Sequence, residues 1–244
     1  LIAECRAAKD PLLLVNARMS EKSARKFARV PALTGPALAG LTRIAAQTGN
    51  DAQRLKALGA PSVEIIGNLK FDIAPPPAMQ ELGAALKLGF GAARPVFLAA
   101  STRDGEEALL LDALSGIAIP DLLTVIVPRH PQRFAIVAQL LEARAIRFQR
   151  RSENQPVQPE TQVVLGDSMG ELFAYYAACD AAYIGGSLLP YGGQNLIEAA
   201  SLGKPVLIGA HTYNFAEATE LAVAEGAALR VADGGELVRE LEKL

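Results

Sequence analysis

The stretch richest in chemistry runs Gly185-Gly186-Ser187-Leu188-Leu189-Pro190-Tyr191-Gly192-Gly193-Gln194-Asn195-Leu196-Ile197-Glu198, directly after the apolar run Ala181 to Ile184. A strand, a glycine-rich turn and a helix start in that order aim backbone N–H groups and the positive helix end at the crevice where parallel sheets bind ligands. A phosphate or carboxylate is expected there. Glu198 falls about one turn inside the helix, where a carboxylate can accept hydrogen bonds from sugar hydroxyls. The plainer reading is a turn, with Glu198 only favouring the helix start electrostatically. Two glycine pairs flanking one strand-to-helix crossing favour the first reading.

Three further segments carry candidate groups. In Val127-Pro128-Arg129-His130-Pro131, two prolines stiffen a turn just past an apolar run and present Arg129, suited to phosphate or carboxylate recognition. His130 suits either a ligand contact or a hydrogen bond within the turn. In Gly166-Asp167-Ser168-Met169-Gly170-Glu171, Asp167 or Ser168 can cap a helix and Glu171 fills the capping-box position for Ser168. The functional alternative is a loop lining a base or ribose, with Met169 packed on the ring. In Ala100-Ser101-Thr102-Arg103-Asp104-Gly105-Glu106-Glu107, a helix start follows another apolar run and could hold anions, although alone it reads as a capped helix.

Several chemistries are disfavoured. The sequence has no P-loop, no G-x-G-x-x-G after the first strand of either half and no G-x-S-x-G elbow, which argues against ATP hydrolysis, dinucleotide redox and α/β-hydrolase chemistry. No His/Cys/Asp cluster shows metal spacing, and no cofactor is implied. Cys5 and Cys179 stand far apart without second-ligand spacing, which implies neither zinc nor a disulfide framework. With 24 Lys and Arg against 26 Asp and Glu, a net charge of -2 provides no pull toward nucleic acid. The longest uncharged run, Ala181 to Ile197, is broken by glycines and a proline and cannot be a spanning helix.

The elements that must position these groups follow from the pattern. At 244 residues and 50% hydrophobic, the chain can bury a sizeable core, and two domains are expected. Short apolar runs alternate with Ala-rich helical stretches, the signature of β-α-β units in the α/β class. Buried strands are expected at 12–15, 43–47, 63–66, 96–99, 123–127, 162–165, 181–184 and 205–208, as continuous runs covered on both faces. Asp104, Pro131 and Asn195 mark helix starts. Three prolines at 75–77 favour an extended connector and place the boundary near residue 74. Residues 1–73 hold only about three strands, so that domain is expected to be truncated, whereas 74–244 approach a full doubly wound domain. Opening on Leu1 rather than Met and stopping at Leu244 in mid-pattern, the chain reads as a fragment.

Four motifs together resemble one family: ASTRDGEE at 100–107, VPRHPQRF at 127–134, GDSMGEL at 166–172 and GGSLLPYGGQNLIEAASLGKPVLIG at 185–209. VNARMSEKS at 15–23 and GNLKFD at 67–72 extend the match upstream. The family is the Kdo transferases of lipopolysaccharide synthesis. The resemblance implies a GT-B type architecture of two Rossmann-like domains with parallel sheets, an acceptor domain at 1–73 and a donor domain at 74–244. It also implies metal-independent, inverting transfer of 3-deoxy-D-manno-octulosonic acid (Kdo) from CMP-Kdo to a lipid A precursor. CMP contacts carry over to Pro128, Arg129, Met169, Gly170, Glu171, Asn195, Leu196, Ile197 and Glu198. Further donor or acceptor contacts are expected at Ser101, Thr102, Gly186, Ser187, Gly193 and Gln194. Arg103 and Gln194 stand where relatives often have histidine, and Leu196 where proline is frequent.

The resemblance places the general base upstream of this chain, so no catalytic residue is assigned, and the chain is expected to bind CMP without transferring sugar. It also implies that the full-length protein works at the membrane surface, on the cytoplasmic face of the bacterial inner membrane, while this piece is soluble. Two other readings are a GT-B enzyme using a UDP-sugar, as transferase or 2-epimerase, and a non-catalytic nucleotide-binding module. The latter would be marked by loss of Arg129 or Glu198, and both are present.

Overall fold

The computed structural model describes residues 2–68 and 71–244; Leu69 and Lys70, within the Gly67 to Asp72 motif, lie outside the described residues. The chain forms two compact units, Leu1–Ile73 and Ala74–Leu244.

The first unit runs α1 (Ile2–Ala8), β1 (Leu13–Ala17), α2 (Glu21–Phe27), α3 (Pro31–Ala39), β2 (Arg43–Ala46), α4 (Gly49–Ala57) and β3 (Val63–Ile65). Its strands form a parallel sheet in the order β1-β2-β3. Ile44, Ala46, Ala52 and Leu55 make a small core. Ser20 and Thr48 cap α2 and α4 by accepting the amides of Ser23 and Asp51. The expectation of strands covered on both faces holds for Ile44 and Ala46 in β2 but not for the outer strands. Leu13, Val15 and Ile65 are 57%, 57% and 61% exposed.

The second unit comprises α5 (Pro77–Phe90), β4 (Val96–Thr102), α6 (Glu106–Leu114), β5 (Leu123–Pro128), α7 (Phe134–Ala143), β6 (Phe148–Arg150), β7 (Val163–Leu165), α8 (Leu172–Ala178), β8 (Ala181–Ile184), α9 (Ile197–Ser201), β9 (Val206–Ile208), α10 (Ala216–Ala224), β10 (Ala228–Arg230) and α11 (Gly234–Leu241). All its strand pairings are parallel, in the order β10-β9-β8-β4-β5-β7-β6. Every residue of β4, β5, β7, β8 and β9 is buried, as continuous apolar runs demand of strands packed on both faces. The edge strands β6 and β10 were not anticipated. Their short sequences, Phe148-Gln149-Arg150 and Ala228-Leu229-Arg230, each end on an arginine, form no unbroken apolar run and need only one neighbour.

From β4 the chain adds β5, then the edge strand β6 and β7 between them on one side, and returns to add β8, β9 and β10 on the other. The order therefore reverses beside β4, where doubly wound sheets open a ligand crevice. Register aligns the strand ends: Ala100 pairs with Val127 and with Ile184, and Ile126 with Leu165. The loops leaving β4, β5, β7 and β8 thus emerge along one edge.

Several helix starts differ from the sequence reading. Helix α6 is capped by Gly105 at φ 86°, a left-handed conformation that glycine adopts without strain, while Asp104 instead pairs with Arg133. Pro131 opens a short 3-10 turn ahead of α7. The Ser168 capping box does not form: α8 begins only at Leu172, and the Ser168 hydroxyl donates directly to Glu171 Oε2 at 2.5 Å. Asp167 accepts from Ser152 N and Oγ at 2.8 and 2.7 Å. Pro77 occupies the first turn of α5, where a missing N–H costs nothing.

Candidate functional site

A cavity of about 410 Å3 opens at the carboxyl edge of the seven-stranded sheet, within the range typical of small-molecule sites. Each of the four strands around β4 contributes to it. The end of β4 supplies Ser101; β5 supplies Val127 and Pro128, with Arg129 next after it; the loop after β7 supplies Ser168, Met169 and Gly170; the loop after β8 supplies Gln194 and Asn195, and the first turn of α9 supplies Glu198. Leu172 and Phe173 of α8 and Phe215 ahead of α10 add apolar wall. The structure therefore brings residues of all four segments singled out by sequence to one place.

Arg129 and Glu198 set the electrostatics. Arg129 is solvent-exposed, its backbone N–H tied to Thr102 O at 3.0 Å and its Nε donating to Gln194 Oε1 at 3.1 Å. Only Nε of the guanidinium is engaged by Gln194, and a guanidinium offers five N–H donors, so the fork suits an incoming anion. Glu198 is half-buried; burial pushes its carboxyl pKa up, against the opposing influence of the Asn195 hydrogen bond and the Arg129 charge. Asn195 holds it from one side, Nδ2 donating to Glu198 Oε1 at 3.0 Å, while Asn195 Oδ1 accepts the Ile197 amide at 3.1 Å.

The expectation of free amides in the glycine-rich turn is corrected. Gly186 N donates to Glu106 Oε2 at 2.6 Å, and Ser187 N to Glu106 Oε1 at 3.1 Å. The anion in this turn is the protein's own carboxylate. Farther along, Gly193 N donates to Gly186 O at 2.7 Å and Gln194 N to Gly185 O at 3.1 Å. Ser187 is fully buried with its hydroxyl turned to Ile184 O, and Thr102 Oγ1 donates to Glu107 Oε1 at 2.8 Å. Among the additional contacts expected from sequence, Ser101 and Gln194 line the cavity, while Thr102, Gly186, Ser187 and Gly193 do not.

Within the CMP set, Leu196 and Ile197 are buried side chains outside the lining, and the Ile197 amide is already used. Glu171 likewise stands off the cavity, paired with Arg151 at 3.1 Å and accepting from Ser168. Ser168 Oγ also lies 3.1 Å from the Tyr175 hydroxyl, whose pKa burial pushes up to about 12. His130 is exposed and does not line the cavity. Arg103 stacks over the Tyr191 ring, 4.6 Å from its centroid.

Sequence reasoning missed Phe173 and Phe215, which in a string of letters look like any core aromatic. It also missed Glu106, because Gly-Glu-Glu at a helix start reads as solvated charge. Among the described residues, no group of three or more His, Cys, Asp or Glu is placed to hold a metal ion, and no helix is long and apolar enough to cross a membrane. One cationic fork, one half-buried carboxylate and apolar walls suit a ligand that carries an anion, hydroxyls and a flat ring.

Parallel sheets in two units, with a crevice at the strand-order reversal, are the GT-B architecture of glycosyltransferase domains. Anabaena HepE, solved with UDP, shares this fold at a TM-score of 0.50 and 18% identity, covering 99% of this chain and 64% of that one. The crystal structure of the C-terminal CMP-Kdo binding domain of WaaA from Acinetobacter baumannii is nearer, with a TM-score of 0.64 and 34% identity over 67% of this chain and 86% of that one. A family model described as 3-deoxy-D-manno-octulosonic-acid transferase (kdotransferase) matches residues 1–73. The curated 3-deoxy-D-manno-octulosonic acid transferases of Bordetella pertussis and Haemophilus influenzae are 44% and 38% identical over 96% and 85% of this chain. The chain belongs to the 3-deoxy-D-manno-octulosonic acid (Kdo) transferase family. It spans about half the length of these two relatives, 55% and 49%.

Proposed function

We propose that unit Ala74–Leu244 binds the CMP moiety of CMP-Kdo, as the donor half of an enzyme that transfers Kdo to a lipid A precursor at the cytoplasmic face of the inner membrane. The observation that carries this reading is the convergence of Arg129, Met169 and Glu198, from two loops and the first turn of α9, on one cavity. The WaaA domain that resembles this chain at 34% identity is a CMP-Kdo binding domain, which supports the choice of nucleotide.

In this reading the Arg129 guanidinium meets the phosphate and neutralises charge that the leaving nucleotide retains. Glu198 accepts from the ribose hydroxyls, which return to the carboxylate part of the hydration it loses in the half-buried position. Met169, 60% exposed on its loop, and Phe215 flank the base. Unit Leu1–Ile73 belongs to the acceptor side, and the chemical step is a property of the whole enzyme. Titration calorimetry of the 244-residue chain with CMP, UMP and UDP tests the donor assignment. CMP is expected to bind at least about tenfold more tightly than the uridine nucleotides. Equal or tighter binding of UDP would transfer the assignment to a UDP-sugar enzyme.

A further inference from the structure

We propose that Glu106 is a positioning residue of the nucleotide site, acting through the loop 185–194. The proposal rests on reading the cavity as a nucleotide site. Glu106 is fully buried and does not line the cavity, yet its two oxygens accept five hydrogen bonds. Oε2 takes Arg103 N at 2.9 Å and Gly186 N at 2.6 Å. Oε1 takes the Tyr183 hydroxyl at 2.5 Å, Ser187 N at 3.1 Å and Leu188 N at 3.2 Å. One carboxylate thus staples the start of α6 and the end of β4 to the loop leaving β8, across the point where strand order reverses.

The consequence reaches the ligand in two steps. With Gly186 held, its carbonyl and that of Gly185 are placed to accept Gly193 N and Gln194 N, which closes the loop on itself. Closure sets Gln194 where its Oε1 accepts Arg129 Nε. The fork of Arg129 is then aimed by a chain of contacts that begins at a residue no ligand meets. Among the described residues no lysine or arginine forms an ion pair with Glu106, and four backbone amides and one phenol donate to its carboxylate. A carboxylate is required here: in Glu106→Gln one oxygen becomes an NH2 group facing N–H donors.

The test is amide hydrogen exchange by NMR on the full 244-residue chain, paired with CMP titration. In Glu106→Gln, protection at Gly186, Ser187, Leu188, Gly193 and Gln194 should fall at least about tenfold, with Ile126 and Leu165 in the sheet unchanged. The Kd for CMP should rise about tenfold. Gln194→Ala should weaken CMP binding less in the Glu106→Gln background than in the wild type, because the two lie on one path. Unchanged loop protection, or a Gln194→Ala effect of equal size in both backgrounds, overturns the proposal. If the wild-type chain binds no CMP while the Glu106→Gln loop loses protection, the nucleotide reading fails and Glu106 remains the anchor of the loop. Should Glu106→Gln not fold, Tyr183→Phe removes one donor to Oε1; the same pattern at smaller amplitude supports the path, and unchanged exchange rejects it.

Discussion

Glu198 offers the sharpest test, because its replacement should move binding and stability in opposite directions. In Glu198→Ala the cavity loses its one carboxylate and Asn195 Nδ2 loses its acceptor at 3.0 Å. A hydrogen bond to a charged group contributes about 1.5–3 kcal/mol. Partial burial already strips water from the carboxylate before ligand arrives, so little of that gain is spent on further desolvation. The Kd for CMP should therefore rise about 10- to 150-fold by calorimetry. The sign for stability is opposite. The folded protein holds this carboxyl above its ordinary pKa, so folding favours the protonated form. That contribution is present at low pH and is lost as pH rises through the folded value. Glu198→Gln keeps the shape and removes the charge, so it should raise Tm near pH 7 and change it little near pH 4, while still weakening CMP. A variant that binds CMP as the wild type does, or is less stable near pH 7 than near pH 4 relative to wild type, would refute the assignment.

Three further outcomes follow from the same geometry. Arg133→Met leaves Glu107, whose side chain is 1% exposed, without the partner that reaches it at 2.9 Å; this should cost about 3–5 kcal/mol in urea unfolding, with part recovered in the double variant with Glu107→Gln. Gly185→Ala would set a Cβ 2.3 Å from Ser101 O, backbone that cannot step aside, so stability should fall by at least about 1–3 kcal/mol and CMP binding should weaken with it. Burial pushes the Cys179 thiol up to about 12, so Ellman's reagent near pH 8 should modify it only at the rate of unfolding.

The sheet was legible where burial on both faces writes an unbroken apolar run. Ala181–Ile184 was placed to the residue, and β4 and β5 were placed at their starts and extended at their ends by Ala100-Ser101-Thr102 and Pro128. It was not legible at the edges, where Phe148-Gln149-Arg150 and Ala228-Leu229-Arg230 pair on one side only. Arg129, Met169, Asn195 and Glu198 were visible because each follows a strand end, which topology forces to one edge. Whether an amide there is free is a different matter. That depended on Glu106, distant in sequence from Gly186, and no local pattern announces such a partner. The capping box failed for a related reason: Ser168 found the Glu171 and Tyr175 side chains before it found a helix.

The central position of β4 also bears on how the chain is made. Phe97 pairs with Ala181, so during synthesis one side of β4 waits while the intervening segments leave the ribosome. In that interval an apolar strand edge lies open to neighbouring polypeptides. Any nascent or proteolysed piece ending before Ala181 carries the same raw edge, and such pieces should precipitate or be held by chaperones.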